Sequence, residues 1–271
     1  MAIRKKLFIL VFLGMTTGNA EATVVGPYAS AEATFDWSSF SVQAYALGPG
    51  AAPSVTWSNQ FSSVIAMTQA ANVYQSSADW STSLHKTAGN TATQALAGAD
   101  ATTLHASALV TNSADYAGAT SYRSGGLNVT GNGLLVFSMH YSLDAALVPD
   151  ASSTFNNSAT AGVDFFAQRT GSNAHSEFFS ANSSLNLNSG NTGSSPVHLA
   201  GVLNLALLVS HGDQFDFLAD SRASASLGTM QPIMPIGIPV SSVPLPGAVW
   251  LFLSAGAGLL SLTRRKSTLS A

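Results

Sequence analysis

Apolar and polar residues alternate with a period of two along several stretches of the chain, which is typical of β-strands with one buried face. The clearest stretch is GLLVFSMHYSLD, residues 133–144. Five apolar side chains occupy its alternate positions: Leu135, Phe137, Met139, Tyr141 and Leu143. The same alternation occurs in GVLNLALLVS, residues 201–210, and in QFDFLADSRASAS, residues 214–226. We therefore predict a strand over each of these stretches.

Short turns rich in Gly and Asn adjoin these strands. Gly131-Asn132-Gly133 follows LNVT and precedes the first stretch, and His211-Gly212-Asp213 joins the other two. Sequences of this kind favour tight turns between antiparallel strands. We therefore expect two β-hairpins at these positions.

The whole pattern predicts a mainly β protein. Further strand candidates are ATFDWSSFSVQAYAL, AGVDFFAQRT and AHSEFFSANSSLNL. Many short strands with Gly, Asn and Ser turns indicate an antiparallel β-sandwich or jelly roll, which we place at residues 23–227. The Ala-rich section 62–110 is predicted as strands and loops, with a helical turn or two as the alternative, because Ala favours helix but charged pairs four residues apart are missing.

The first 22 residues have the three parts of a secretory signal peptide. A basic start is followed by an apolar stretch from Leu7 to Met15 and by small residues that end in Ala20-Glu21-Ala22. This A-x-A arrangement predicts cleavage after Ala22. The alternative, an anchor that is retained, requires about 20 apolar residues, more than this stretch contains.

The C-terminal part predicts a linker followed by a transmembrane helix. Residues 228–242 are Pro-rich, and residues from about 247 to 263 are nearly all apolar. Trp250 fits an interfacial anchor, and the adjacent cations that follow the helix fit a cytoplasmic stop: Arg264, Arg265 and Lys266. The alternative is a buried core helix.

Residues 243–267 resemble a known sorting signal. The motif Val243-Pro244-Leu245-Pro246, an apolar helix containing Trp-Leu-Phe and a closing Arg-Arg-Lys occur in the order of the PEP-CTERM signal of Gram-negative bacteria. Leu245 departs from the Glu most usual in that family. The resemblance implies an anchor in the inner membrane that is transient, cleavage near the Pro motif by an exosortase, and delivery to the cell surface or an exopolysaccharide matrix.

Charge is scarce and unevenly placed. Asp, Glu, Lys and Arg make up 8% of the chain. Residues 23–240 carry four basic against twelve acidic residues, a net charge of −8. Nucleic acid is therefore not expected as a partner, because it is bound through clustered cations. The chain has no Cys, which excludes disulfides, thiolate metal sites and a cysteine nucleophile.

A Trp-Ser dipeptide occurs three times in the first third of the chain, at Trp37, Trp57 and Trp80. The first and last are preceded by Asp36 and Asp79. Exposed rings would form a platform for stacking sugars, whereas buried rings would fill the core of a sandwich. Both interpretations remain open at this point.

Binding and catalytic motifs give little further guidance. Asp213, Asp216 and Asp220 are candidate Ca²⁺ ligands, although a shared ion would need another loop. The nucleophile elbow, the zinc-protease motif, the P-loop and the dinucleotide fingerprint do not occur, and we expect neither an enzyme nor a cofactor.

Three functions from different classes follow. The first is an exported structural or interaction protein of the surface or biofilm matrix, with exosortase, inner membrane and exopolysaccharide as partners. The second is a carbohydrate-binding module with exposed aromatic residues and Ca²⁺. The third is a polysaccharide hydrolase.

Overall fold

Twelve β-strands make up the computed structural model, which describes residues 26–149, 157–170, 177–189 and 196–228. The strands are β1 (Tyr28–Tyr45), β2 (Ser54–Thr68), β3 (Asn72–Ser77), β4 (Leu84–Gly89), β5 (Thr93–Ala99), β6 (Thr103–Val110), β7 (Asp115–Thr130), β8 (Gly133–Val148), β9 (Ser158–Arg169), β10 (Phe178–Asn188), β11 (Val197–Val209) and β12 (Gln214–Leu227). The prediction of a mainly β chain is confirmed.

Two antiparallel sheets of six strands pack face to face. Sheet A has the order β11-β8-β1-β6-β5-β4, and sheet B has the order β10-β9-β12-β7-β2-β3. Strands β10 and β11, the edges of the two sheets on one side, contact each other, as do β3 and β4 on the opposite side. This arrangement is a β-sandwich with two lateral sides.

Both hairpin predictions are wrong, although the four strands that they involve are present. β7 lies in sheet B and β8 in sheet A, so Gly131 and Asn132 carry the chain across the sandwich. The connection from β11 to β12 makes a second crossing directly beside the first. A strand with one buried face can be followed by a tight turn within its own sheet or by a crossing to the facing sheet. The local alternation therefore cannot distinguish them.

The two crossings are joined by hydrogen bonds. The backbone N–H of His211 donates to Asn132 Oδ1 at 2.7 Å, and the N–H of Val129 donates to the carbonyl of Asp213 at 2.9 Å. These contacts hold one end of the sandwich together.

The core changes character along the strands. At one end it consists largely of alanine methyl groups, for example Ala29 and Ala31 on β1 and Ala223 and Ala225 on β12. At the other end it contains phenylalanine rings: Phe35, Phe137, Phe165 and Phe217. Section 62–110 forms the second part of β2, all of β3 to β6 and their connections, and its alanines face inward from β5 and β6. Alanine is a core residue here, since small side chains can fill the space between the sheets.

The signal peptide, the Pro-rich linker beyond its first residue and the C-terminal helix that we expect lie outside the described residues. Among the described residues, the structure contains no helix long and apolar enough to cross a membrane.

Two glycines with the same backbone conformation provide a test of this fold. Gly89 has φ +87° and a Cβ there would lie 1.9 Å from the carbonyl oxygen of Thr93, whereas Gly212 has φ +88° and open space around it. Gly212→Ala is expected to cost about 1–2 kcal/mol from the left-handed conformation alone. Gly89→Ala adds a backbone clash and is expected to cost about 3 kcal/mol or more. Urea unfolding of both variants measures the difference, and equal losses would contradict the β4–β5 turn.

Candidate functional site

The three Trp-Ser dipeptides meet in one aromatic cluster, although they are far apart in the sequence. Trp37 lies on β1, Trp57 on β2 and Trp80 in the connection from β3 to β4. The ring of Trp80 lies 5.2 Å from Trp37 and 4.9 Å from Trp57, with interplanar angles of 81° and 64°. All three rings are partly buried. They meet edge to face and do not form a flat strip, so they pack as an extension of the core.

Irregularities in two strands shape this cluster. The register of β1 against β8 shifts between Asp36 and Ser41, and that of β2 against β7 shifts between Ser58 and Phe61. Such bulges bend a strand and re-aim its side chains. The indole N–H of Trp80 donates to the carbonyl of Ser124 at 2.9 Å, opposite the bulge in β2.

Arg123 forms the centre of this cluster, and the sequence analysis did not identify it. It faces inward from β7, and none of its surface is exposed. Its Nη2 donates to the carbonyl of Trp80 at 2.7 Å and to that of Asp100 at 2.9 Å. The guanidinium lies 4.5 Å from the centre of the Trp37 ring, a cation–π contact. Burial lowers the pKa of Arg123 to about 10, while the carboxylates of Asp100 and Asp79 act in the opposite direction. Arg123 therefore stays charged at neutral pH inside the sandwich.

Three aspartates near this cluster bind the backbone that follows them, one at the bulge of β1 and two in connections between strands. Asp36 Oδ1 accepts hydrogen bonds from the backbone N–H of Ser38 and from its hydroxyl. Asp79 Oδ1 accepts from the backbone N–H groups of Ser81 and Thr82 at 2.7 and 2.6 Å. In both Asp-Trp-Ser segments, at Trp37 and at Trp80, the aspartate therefore fixes the backbone around the tryptophan.

Asp100 is the third of these aspartates and lies in the connection from β5 to β6. Its Oδ1 accepts from the backbone N–H groups of Thr102 and Thr103 at 2.8 and 2.9 Å. Burial alone would raise the pKa of Asp100, but these hydrogen bonds hold it below its usual value. The pKa of Asp79 is also well below its usual range, because Thr82, Ser77 and Ser81 donate to its carboxylate. Both aspartates thus stay ionised near Arg123.

The structure does not bring the three candidate Ca²⁺ ligands together. Asp213 Oδ2 accepts from the backbone N–H of Ser210 at 2.8 Å and lies 3.6 Å from Nη2 of Arg169. Asp216 is exposed, and Asp220 is buried. In the described part of the chain, no group of three or more His, Asp or Glu residues could hold a metal ion.

Asp220 belongs instead to a charged cluster on the outer face of sheet B. Its Oδ1 accepts from Nε of Arg222 at 2.8 Å, and Nη2 of Arg222 forms an ion pair with Asp164 Oδ2. Asp164 and Asp220 are directly paired residues of β9 and β12. One guanidinium between two carboxylates leaves one negative charge in excess. Burial raises the pKa of Asp220 to about 8, which favours its protonated form and offsets this excess charge.

This cluster bears on hydrolysis, because glycosidases use two carboxyl groups on either side of the bond they cleave. Here Arg222 binds both carboxyl groups and occupies the space between them. The pair is therefore arranged as an ion cluster within the sheet face. Only Asp220 and Arg222, two residues apart on one strand, are neighbours in the sequence, because Asp164 joins the cluster through strand register.

The outer face of sheet A carries two histidine–carboxylate pairs. His105 Nε2 lies 3.0 Å from Glu32 Oε1, and His198 Nδ1 lies 2.8 Å from Asp144 Oδ1. The hydrogen bond with His105 lowers the pKa of Glu32. His198 is the only titratable residue of β11, and its partner Asp144 lies on the neighbouring strand β8.

A shallow groove lies where β10 begins and β11 ends. Its volume is about 390 Å³, and it is lined by Arg169, Glu177, Phe178, Phe179 and Leu208. Arg169 Nη2 donates to the carbonyl of Leu208 at 2.8 Å, and Nη1 lies 3.4 Å from Glu177 Oε2. The cation of this groove is therefore already neutralised, and the remaining lining is apolar.

Replacement of Arg123 tests whether it organises the aromatic cluster. Arg123→Met is expected to lower the free energy of unfolding by about 2–4 kcal/mol, because the carbonyls of Trp80 and Asp100 lose their donor. The free energy of unfolding of Arg123→Lys should lie between those of Arg123→Met and the parent, since an ammonium group cannot reproduce the planar set of donors of a guanidinium. Urea unfolding followed by tryptophan fluorescence measures both. Lys86→Met, on β4, is the control, and an Arg123→Met loss no larger than the control's would contradict this role.

The pKa of Asp220 predicts a pH dependence of stability. Because its folded pKa is raised above the unfolded value near 4, its contribution is fully present below that value and is lost as pH rises through about 8. Asp220→Asn should therefore flatten the decline of unfolding free energy between pH 4 and 8. Asp216→Asn, an exposed residue of the same strand, is the matched control. Parallel pH profiles for parent and Asp220→Asn would show that Asp220 is ionised in the folded protein.

Comparison with known proteins gives no family for this chain. No protein-family model, no curated protein and no solved structure matches it. Its function is therefore inferred from its own residues and geometry.

Proposed function

We propose that this chain is an exported protein that an exosortase sorts to the cell surface or the exopolysaccharide matrix, where its jelly-roll-like ectodomain has a structural or interaction role. The observation that carries the proposal is the order of features in residues 243–267: Val-Pro-Leu-Pro, an apolar stretch and Arg-Arg-Lys. Proline lacks an amide hydrogen and keeps the residue before it extended. A segment built in this way stays outside the following helix and is open to a protease.

The surface of the sandwich supports a role in a hydrated sugar network. The three arginines of the described ectodomain are engaged internally or in ion pairs: Arg123, Arg169 and Arg222. In the second half of β10 the exposed side chains occupy alternate positions, and each carries an amide or a hydroxyl: Asn182, Ser184, Asn186 and Asn188. Such groups exchange hydrogen bonds with sugar hydroxyls and water without a need for charge.

The geometry favours this role over the two alternatives. A sugar-stacking platform needs aromatic faces that are free, whereas the three tryptophans pack edge to face with one another and with Arg123. A hydrolase needs two carboxyl groups with a substrate between them, whereas Arg222 stands between Asp164 and Asp220.

Substitution of the Pro motif tests the sorting route. The double variant Pro244→Ala, Pro246→Ala should retain its C-terminal helix and accumulate in the inner membrane, because the cleavage segment can then continue the helix. Intact mass of the protein recovered from membranes and from medium measures this, in hosts with and without the exosortase. The matched control is Pro232→Ala, Pro235→Ala, which removes two prolines of the linker. Processing of the Pro244, Pro246 variant at the parent's rate would refute the proposal.

A further inference from the structure

The two lateral sides of the sandwich are built differently. On one side, the edge strands β3 and β4 have six residues each, and β4 carries Lys86. On the other side, the edge strands β10 and β11 have 11 and 13 residues. Short edges with a lysine are a usual protection against pairing with another chain. The β10–β11 side lacks this protection.

This long side is also low in charge and partly apolar, and the Arg169 and Glu177 side chains at its end pair with each other. Neither β10 nor β11 contains Asp, Glu, Lys or Arg. Of the seven large apolar side chains that are exposed in the described residues, four lie on these two strands: Phe178, Leu199, Val202 and Leu208. Leu208 is 62% exposed and Val202 is 49% exposed. An edge of this length and composition is a template for strand addition.

We propose that the β10–β11 side pairs with the same side of a second copy of this chain. A two-fold axis perpendicular to the sheets would place β11 antiparallel to β11 of the second copy and β10 antiparallel to its β10. Each six-stranded sheet would then continue as a sheet of twelve strands. Leu203, Leu205 and Leu207 face the core from β11. Any register that pairs these positions with one another continues the core across the axis, because side chains alternate with a period of two.

The distribution of charge favours contact with a second copy at this side over contact at the charged surfaces. The ectodomain is strongly acidic, and its described arginines are already engaged. Two copies therefore repel each other except where a surface carries no charge.

The size of this side also fits a contact between two copies, since strands of this length span about 40 Å and two packed sheets present a side about 15 Å wide. The resulting area, roughly 600 Å² on each copy, approaches the ~800 Å² per partner of a stable interface.

Single cysteines test the contact directly, since the chain has none of its own. Val202→Cys, Asn204→Cys and Ala206→Cys place a thiol at successive positions on the outer face of β11. A two-fold axis brings the position nearest to it against its own copy, within reach of a disulfide. Oxidation of cells that express each full-length variant should give a disulfide-linked dimer for at least one of them. Thr87→Cys, on the short edge strand β4, is the control and should remain monomeric.

Mass measurement of the protein recovered from its host gives a second test. Analytical ultracentrifugation should show a dimer whose association strengthens with added salt, because screening reduces the repulsion between acidic copies. Val202→Lys should weaken the dimer at least tenfold, whereas Thr87→Lys, which adds the same charge on the opposite side, should not. A monomer at all salt concentrations, together with no cross-link at any of the three β11 positions, would overturn the proposal. This outcome is independent of the sorting route, since neither measurement requires cleavage at the Pro motif.

Discussion

A positive charge inside the sandwich is the constraint on which the aromatic end of this structure depends. Arg123 has no exposed surface, so its guanidinium must find its acceptors within the protein. Its Nη2 finds them in the carbonyls of Trp80 and Asp100, which belong to the connections β3–β4 and β5–β6, whereas Nε and Nη1 have no hydrogen-bond partner among the described residues. Because Asp79 and Asp100 each fix the turn that carries one of these carbonyls, the arginine, the turns and the tryptophans form a single unit.

The strands could be predicted from the sequence, but their pairing could not. The alternation of apolar and polar residues reports only which face of a strand is buried, and each clear example, such as residues 133–144, is a strand of the structure. Which sheet a strand joins depends on whether the turn beside it folds back or crosses over. Gly131 and Gly212 have positive φ values in crossings just as they could in hairpins, so the turn residues did not settle the choice.

The candidate site was predictable only where a local motif existed. The Asp-Trp-Ser repeat was visible because each aspartate acts on the residues directly after it, and the same logic applies to Asp100, which is followed by Thr102 and Thr103. Arg123 gave no such sign, since its neighbours Tyr122 and Ser124 suggest neither face of a strand. Asp164 meets Arg222 only through the register of β9 and β12, which a single sequence does not specify.

The scarcity of cations links the interior of this protein to its surface. Arg123, Arg169 and Arg222 are each bound by carbonyl or carboxylate oxygens, so the surface formed by the described residues is left acidic and without free guanidinium groups. An acidic surface keeps copies apart wherever charges face each other. A long edge whose strands contain no Asp, Glu, Lys or Arg, as on β10 and β11, is then the place where backbone groups and apolar side chains meet least repulsion. The low charge on which the proposed matrix role rests therefore also confines the proposed self-association to one side of the fold.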